Sequence, residues 1–262
     1  MRVTARSDAG SVREVNEDYV LVDETIELVV VADGEGGLVT GAVAGRLAAE
    51  GASSMLRFSS GDPVDRAREA LLAIDRTIAE AARSEGASLA NSPVFASWLD
   101  APTQAIVTMA RAGRGTLAGM HASIVLAMVV DRAVVIGHVG NCRAYLVRNG
   151  RAVTLTADHT LEGLPGVVTQ GLGFDRPCVP AIRTASWHDG DRLLLCSDGL
   201  HRGVEDQTIA ELASDGPIIR AVERLMELAN SRSDDNIAVA LLDLDGEPRL
   251  VECQNGPVYR VR

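Results

Sequence analysis

Short runs rich in Val, Ile and Leu recur at 19–23, 27–32, 124–130, 133–139, 144–148, 192–196 and 237–244, all of strand length. Between these blocks the pattern changes to that of helices. Residues 41–58 are small and apolar over most of their length, and 62–83 open with Asp62 as an N-cap and Pro63 at the first helical position. In the latter, Leu71, Ile74 and Ile78 line one face. A second helical pair is predicted over 204–213 and 217–229, where Ile218, Val222, Leu225 and Ala229 keep register. Strands in runs and helices in pairs suggest α+β layers, with mainly antiparallel sheets covered by helices. The tail from Glu247 onward reads as a closing strand pair turning at Asn255-Gly256.

The chain of 262 residues is long enough for one large domain, and residues 1–262 are read as one. Its net charge is −11, with 25 basic residues scattered among 36 acids, which argues against a nucleic-acid partner. Cys142, Cys178, Cys196 and Cys253 lie far apart without a zinc-like spacing, so buried reduced thiols in a reducing compartment are expected. The five histidines show no ligand spacing either. The opening stretch MRVTARSDAGSVRE lacks the apolar core of a signal peptide, and no apolar run is long enough to span a bilayer. A cytoplasmic protein with no membrane association is expected.

The acids sit at strand ends. VVVAD ends at Asp33 and LLLCSD at Asp198, while DYVLVD begins at Asp18 and DNIAVALL at Asp235. If strands that begin with an acid run antiparallel to strands that end with one, the four carboxylates meet at one end of the sheets. A single Asp there makes a turn; four together create an electrostatic problem. Two carboxylates ~5 Å apart repel by ~3 kcal/mol at an effective dielectric near ~20, so either protons stay on or a cation lies between them. All-oxygen ligands suit a hard ion, Mg²⁺ or Mn²⁺. After Asp33, Gly34, Gly36 and Gly37 let the backbone come close enough for a carbonyl, that of Gly34, to serve as a further ligand.

Five stretches, DAGSVREVNEDYVLV, VVVADGEGGLVTGAVA, IGHVGNCRAYLVRNGRAVTLTADHTL, LLLCSDGL and SRSDDNIAVALL, resemble in order the motifs of the metal-dependent Ser/Thr protein phosphatases of the type-2C (PPM) class, bacterial in type. The resemblance covers nearly the whole chain. It implies a four-layer α-β-β-α sandwich and a two-metal centre between the sheets. Asp33 would bridge the ions and the Gly34 carbonyl would bind one; Asp198 and Asp235 would hold the other, and Glu17 and Asp18 would ligate directly or through water. Arg13 matches the family's phosphate-binding Arg, suited by its guanidinium fork. The implied activity is hydrolysis of phosphoserine and phosphothreonine on proteins, opposing a Ser/Thr kinase, by water activated between two ions. The competing readings are a catalytically weak binding or regulatory module on the same scaffold and a small-molecule phosphohydrolase.

Several positions depart from the family. Asn141 stands where an Asp helps hold a third metal, so that site should be weak or absent. The stretch 160–169 is short where a mobile flap is usual, predicting a more open cleft. Glu35 occupies a position usually Met or His, either a solvated loop acid or a charge near the metals, and His121 stands where Gly is common. Residues 84–119 form an insertion, with Phe95, Trp98, Ile106 and Met109 suggesting a hairpin or short helix packed on the body or serving as a docking element.

Overall fold

The computed structural model describes residues 2–37, 40–83, 108, 116–245, 250–254 and 258–261. The insertion at 84–119, with Phe95, Trp98, Ile106 and Met109, falls almost wholly outside them, as does the Asn255-Gly256 turn. The strands are β1 (Arg2–Asp8), β2 (Asp18–Asp23), β3 (Leu28–Glu35), β4 (His121–Val130), β5 (Ala133–Val139), β6 (Arg143–Arg148) and β7 (Arg151–Thr154). They continue with β8 (Thr160–Leu161), β9 (Leu164–Val168), β10 (Ala181–Ser186), β11 (Asp191–Cys196), β12 (Ile237–Leu244), β13 (Leu250–Gln254) and β14 (Val258–Val261). The helices are α1 (Thr40–Phe58), α2 (Pro63–Arg83), α3 (Asp198–His201), α4 (Asp206–Ser214) and α5 (Ile218–Asn230).

Two six-stranded sheets carry the architecture, ordered β13-β1-β12-β11-β6-β7 and β10-β5-β4-β3-β2-β14. All pairings within them are antiparallel except β1 with β13 and β14 with β2. Three apolar cores fill the spaces between four layers, as an α-β-β-α sandwich requires. Leu47, Leu56, Leu71, Ile74 and Ile78 of α1 and α2 pack on Leu28, Val30 and Leu126 of the second sheet. Val20, Val29, Val31 and Val125 face Leu193, Leu195, Ala240 and Leu242 between the sheets. Ile209, Val222, Leu225 and Met226 of α4 and α5 cover Leu194, Val239 and Leu241 on the outside of the first. Alternate residues along β3 and β12 thus go to different cores, which is why those strands read as unbroken apolar runs.

The Asp62 cap forms, its Oδ1 accepting from the Val64 N–H at 2.9 Å and the Asp65 N–H at 3.4 Å. The tail differs from expectation. β13 and β14 do not pair as a hairpin: β13 joins the first sheet beside β1 and β14 joins the second beside β2, both parallel. Each thereby covers a sheet edge that a hairpin would have left open. The short strands β1, β7 and β10, the β8–β9 hairpin and α3 were absent from the apolar pattern, being brief or polar on one face.

Candidate metal and phosphate site

β2 and β3 pair with Asp18 directly opposite Asp33, and β11 and β12 pair antiparallel in the other sheet, bringing Asp198 and Asp235 to the same end. Asp33, Asp198, Asp235, Glu17, Gly34 and Arg13 line one cleft of about 410 Å³. Asp18 is not among its lining residues. It is buried beneath, its Oδ2 accepting from the Ser197 hydroxyl at 2.6 Å across the two sheets. Ser197 Oγ in turn accepts the Ala238 N–H at 2.9 Å.

Gly34 does not lie in a loop. β3 continues through Gly34 and Glu35, paired with Ala122 and His121, and the chain turns only at Gly36 and Gly37, where φ is +133° and +94°. What position 34 requires is proximity: a Cβ there would sit 1.8 Å from the Gly41 carbonyl oxygen. On Gly41 a Cβ would meet Glu17 Oε1 at 2.0 Å, and on Gly45 it would meet the Glu17 carbonyl oxygen at 2.6 Å. Three glycines therefore seat the first turns of α1 on the end of β3, with the Glu17 carboxylate against a helix N-terminus that favours negative charge.

The acids raise one another. Burial pushes the Asp33 carboxyl well above its usual range, with Asp18, Asp198, Glu35 and Asp235 adding to it. Burial does the same to Asp18 against the Ser197 hydrogen bond, and burial followed by Asp235 pushes Asp198 up to about 6. Burial also raises Glu17, which Arg13 partly offsets. Among the described residues no three carboxylate, imidazole or thiolate groups converge as a common ion site; two guanidiniums stand among the acids instead. Arg13 Nη2 lies 3.0 Å from Asp235 Oδ1, while its Nε donates to the Asp234 carbonyl. Arg202 Nη1 lies 3.4 Å from Asp198 Oδ2 and 3.6 Å from Asp235 Oδ2.

Divalent ions fit this set on three counts. The donors are hard oxygens. The buried Glu17 Oε1 and Asn141 Oδ1 have no hydrogen-bond partner. The carboxylates' raised affinity for protons is the penalty that a bound cation removes.

Asn141 is buried and donates Nδ2 to Asp198 Oδ2 at 2.9 Å, while its backbone carbonyl accepts from His201 Nε2 at 2.9 Å. Burial, then Arg143, pulls His201 down to about 4, leaving it neutral. Glu35 is not a free loop acid: Oε2 lies 3.2 Å from His121 Nε2, and the imidazole stands edge-on to Phe174. Burial would lower His121, but the Glu35 and Gly119 hydrogen bonds outweigh it and raise it. His159 Nδ1 accepts the Gly140 N–H, a structural role. Cys142, Cys178 and Cys196 are free and buried; burial raises Cys142 well above its usual range and pushes Cys178 up to about 12. The Cys253 side chain lies outside the described residues. At 160–169 stands the β8–β9 hairpin, from which Gly166 and Val168 line the cleft.

Two contributors escaped the sequence reading. Arg202 follows Asp198 by four residues, one helical turn, a spacing that signals a shared face. Asn236 gave no signal beyond adjacency to Asp235. Its Oδ1 accepts the Glu17 N–H and its Nδ2 donates to the Ala9 and Val15 carbonyls, each at 2.9 Å, pinning the loop that carries Arg13 and Glu17.

A family model described as Protein phosphatase 2C matches residues 9–242. The chain is 27% identical over 261 residues to the serine/threonine protein phosphatase PstP of Mycobacterium tuberculosis, covering 93% of this chain and 45% of PstP. It thus spans about half the length of that relative. Protein phosphatase PhpP of Streptococcus pneumoniae is 26% identical over 269 residues, with 94% of this chain and 99% of PhpP covered. The solved PstP catalytic domain, in complex with two manganese ions, superposes with a TM-score of 0.73 at 27% identity, over 92% of this chain and 97% of that one.

Proposed function

Since the chain belongs to the protein phosphatase 2C family, we propose that it is a divalent-metal-dependent phosphatase of phosphoserine and phosphothreonine in proteins. The observation that carries this reading is the gathering of Asp33, Asp198, Asp235, Glu17 and Arg13 around one cleft. Asp33 and the Gly34 carbonyl would hold one ion, Asp198 and Asp235 the other with Asp33 shared, and Glu17 and Asp18 would ligate directly or through water. Two Mn²⁺ or Mg²⁺ ions supply the positive charge that makes water acidic enough to attack phosphorus near neutral pH.

Asp33, fixed within β3 opposite Asp18 and Ser123, would hold the ions and orient that water. Arg13, 48% exposed at the cleft, turns its guanidinium to the phosphoryl oxygens and neutralises charge that grows as the in-line bond forms. The P–O bond to the Ser or Thr oxygen breaks as the water's oxygen binds phosphorus, and the proton that the water gives up passes to the leaving oxygen. Cys142 and Cys196 take no part, since burial holds both as thiols. Asn141 carries no charge and gives one hydrogen to Asp198, which supports a weak or absent third metal site.

The rest of the reading is one catalytic domain over 1–262, with 84–119 an insertion and 160–169 a reduced flap, acting in the cytoplasm on phosphoproteins made by a Ser/Thr kinase. Among the described residues no helix is long and apolar enough to cross a membrane. The test is turnover of a phosphothreonine peptide and of an aryl phosphate with and without Mn²⁺, beside Asp33→Ala and Asp198→Ala. Peptide turnover that needs the ion and both carboxylates supports the phosphatase. No turnover with any divalent ion moves the case to a binding module, and turnover of the aryl phosphate alone moves it to small-molecule substrates.

A further inference from the structure

Arg202 lines the cleft beside Asp198 and Asp235, and the reaction above gives it no role. It caps the C-terminus of α3, its N–H donating to the Asp198 carbonyl at 2.9 Å, so its guanidinium is tethered one helical turn from Asp198. One nitrogen, Nη1, approaches both Asp198 Oδ2 and Asp235 Oδ2. Asp198 Oδ2 already accepts from Asn141, and Asp235 Oδ1 is held by Arg13. Both oxygens of Asp235 and one of Asp198 are therefore engaged by positive or donor groups of the chain itself. The Arg202 side chain is 43% exposed, so a route off the carboxylates into solvent is open. A Cβ at Gly166 of β9 would stand 3.7 Å from Nη2, an ordinary contact distance, so the hairpin lies close to the guanidinium without clamping it.

We propose that Arg202 is a tethered cation that competes with a divalent ion for the Asp198–Asp235 carboxylate pair, so that the chain's affinity for that ion is set by how readily the guanidinium moves away. The proposal rests on reading the pair as metal ligands. A hard ion and an arginine N–H seek the same carboxylate oxygens, and like charges this close repel strongly in a partly buried site. Tethering keeps the competitor present at high effective concentration. The consequence is an uneven pair of ion sites, the one at Asp198 and Asp235 filling last.

The experiment is Mn²⁺ binding to the full chain, by calorimetry and by the paramagnetic resonance signal of free Mn²⁺, for the wild type, Arg202→Gln and Arg202→Lys. Removing one adjacent positive charge from Arg202 is expected to tighten the weaker site about tenfold or more in Arg202→Gln, an effect equivalent to about one pKa unit on a neighbouring group. Arg202→Lys, which keeps the charge, should stay near the wild type. Unchanged or weaker binding in Arg202→Gln overturns the proposal, as does a failure of both it and the wild type to bind Mn²⁺. Asp198→Asn and Asp235→Asn separate this from failure of the ligand reading: if they leave Mn²⁺ binding intact, the pair is not a metal site and both ideas fall. If they abolish it while Arg202→Gln binds as the wild type does, only the role of Arg202 falls. Circular dichroism and melting in chelator confirm that each variant is folded.

Discussion

Asn141 gives its Nδ2 hydrogen to Asp198 Oδ2 at 2.9 Å while its own Oδ1 is buried without a partner. The amide is thus half used: it quiets one carboxylate and holds a neutral oxygen ready beside it. Asn141→Asp turns that donor into a second negative charge. Melting in chelator should drop by the equivalent of ~1–3 kcal/mol, whereas Mn²⁺ should bind more tightly and restore more stability than in the wild type. Equal melting of the two proteins in chelator would show that the contact carries no weight.

Asp33 is raised by its burial and by four neighbouring acids, so it strains the metal-free fold that it is proposed to serve. Asp33→Asn should reduce Mn²⁺-dependent peptide turnover by about a hundredfold or more while raising the melting temperature in chelator by ~2–4 °C per kcal/mol of repulsion relieved. Assay and calorimetry on one preparation check both halves.

Gly41 admits no side chain, since a Cβ would stand 2.0 Å from Glu17 Oε1 and 2.7 Å from the Gly34 carbonyl oxygen. Gly41→Ala should push α1 away from the end of β3, lowering stability by ~1–3 kcal/mol and weakening Mn²⁺ binding. Gly37 has open space around it but takes a φ of +94°, so Gly37→Ala should leave Mn²⁺ affinity nearly intact while costing some stability through backbone strain. Equal Mn²⁺ losses in the two variants would argue against steric seating at position 41.

Asp23 provides a pH dependence opposite in sign to that of the raised acids in the cleft. Burial raises it, but hydrogen bonds from Ser53, Thr25 and Arg57 outweigh this and hold it below its ordinary value. A carboxyl depressed on folding adds stability above its unfolded value, near ~4, and that stability is lost as the pH falls through the folded value. Asp23→Asn should therefore melt lower than the wild type at pH ~7, with the gap narrowing as the pH falls below the ordinary carboxylate value of ~4. A gap that stays constant across that range would assign the loss to packing.

The sequence made the meeting of the acids of β2, β3, β11 and β12 legible, because long apolar runs stopped or started at or near an acid and antiparallel pairing then left one way for them to meet, although β3 runs on past Asp33 to Glu35. It also marked Gly34 as a place of close approach, although Gly34 serves packing inside a strand and not a loop, and the seating of α1 through Gly41 and Gly45 emerged only from the fold. Three things were hidden. Asn236 acts on residues more than two hundred positions away, a relation with no local period. Arg202 looked like any charged residue after a short helix. The tail carried a turn signal in Asn-Gly, but sheet edges elsewhere in the chain offered β13 and β14 better partners than each other.

The hydroxyl of Ser197 meets Asp18 across the join between the sheets. Because half of the acid cluster rides on each sheet, the spacing of its oxygens gauges how squarely one sheet rests on the other. Slack introduced at Val31, deep in the layer between them, should therefore register as looser Mn²⁺ binding in a Val31→Ala protein that is still fully folded. If its ion affinity held while its melting temperature fell, that one bond would be enough to keep the join in true.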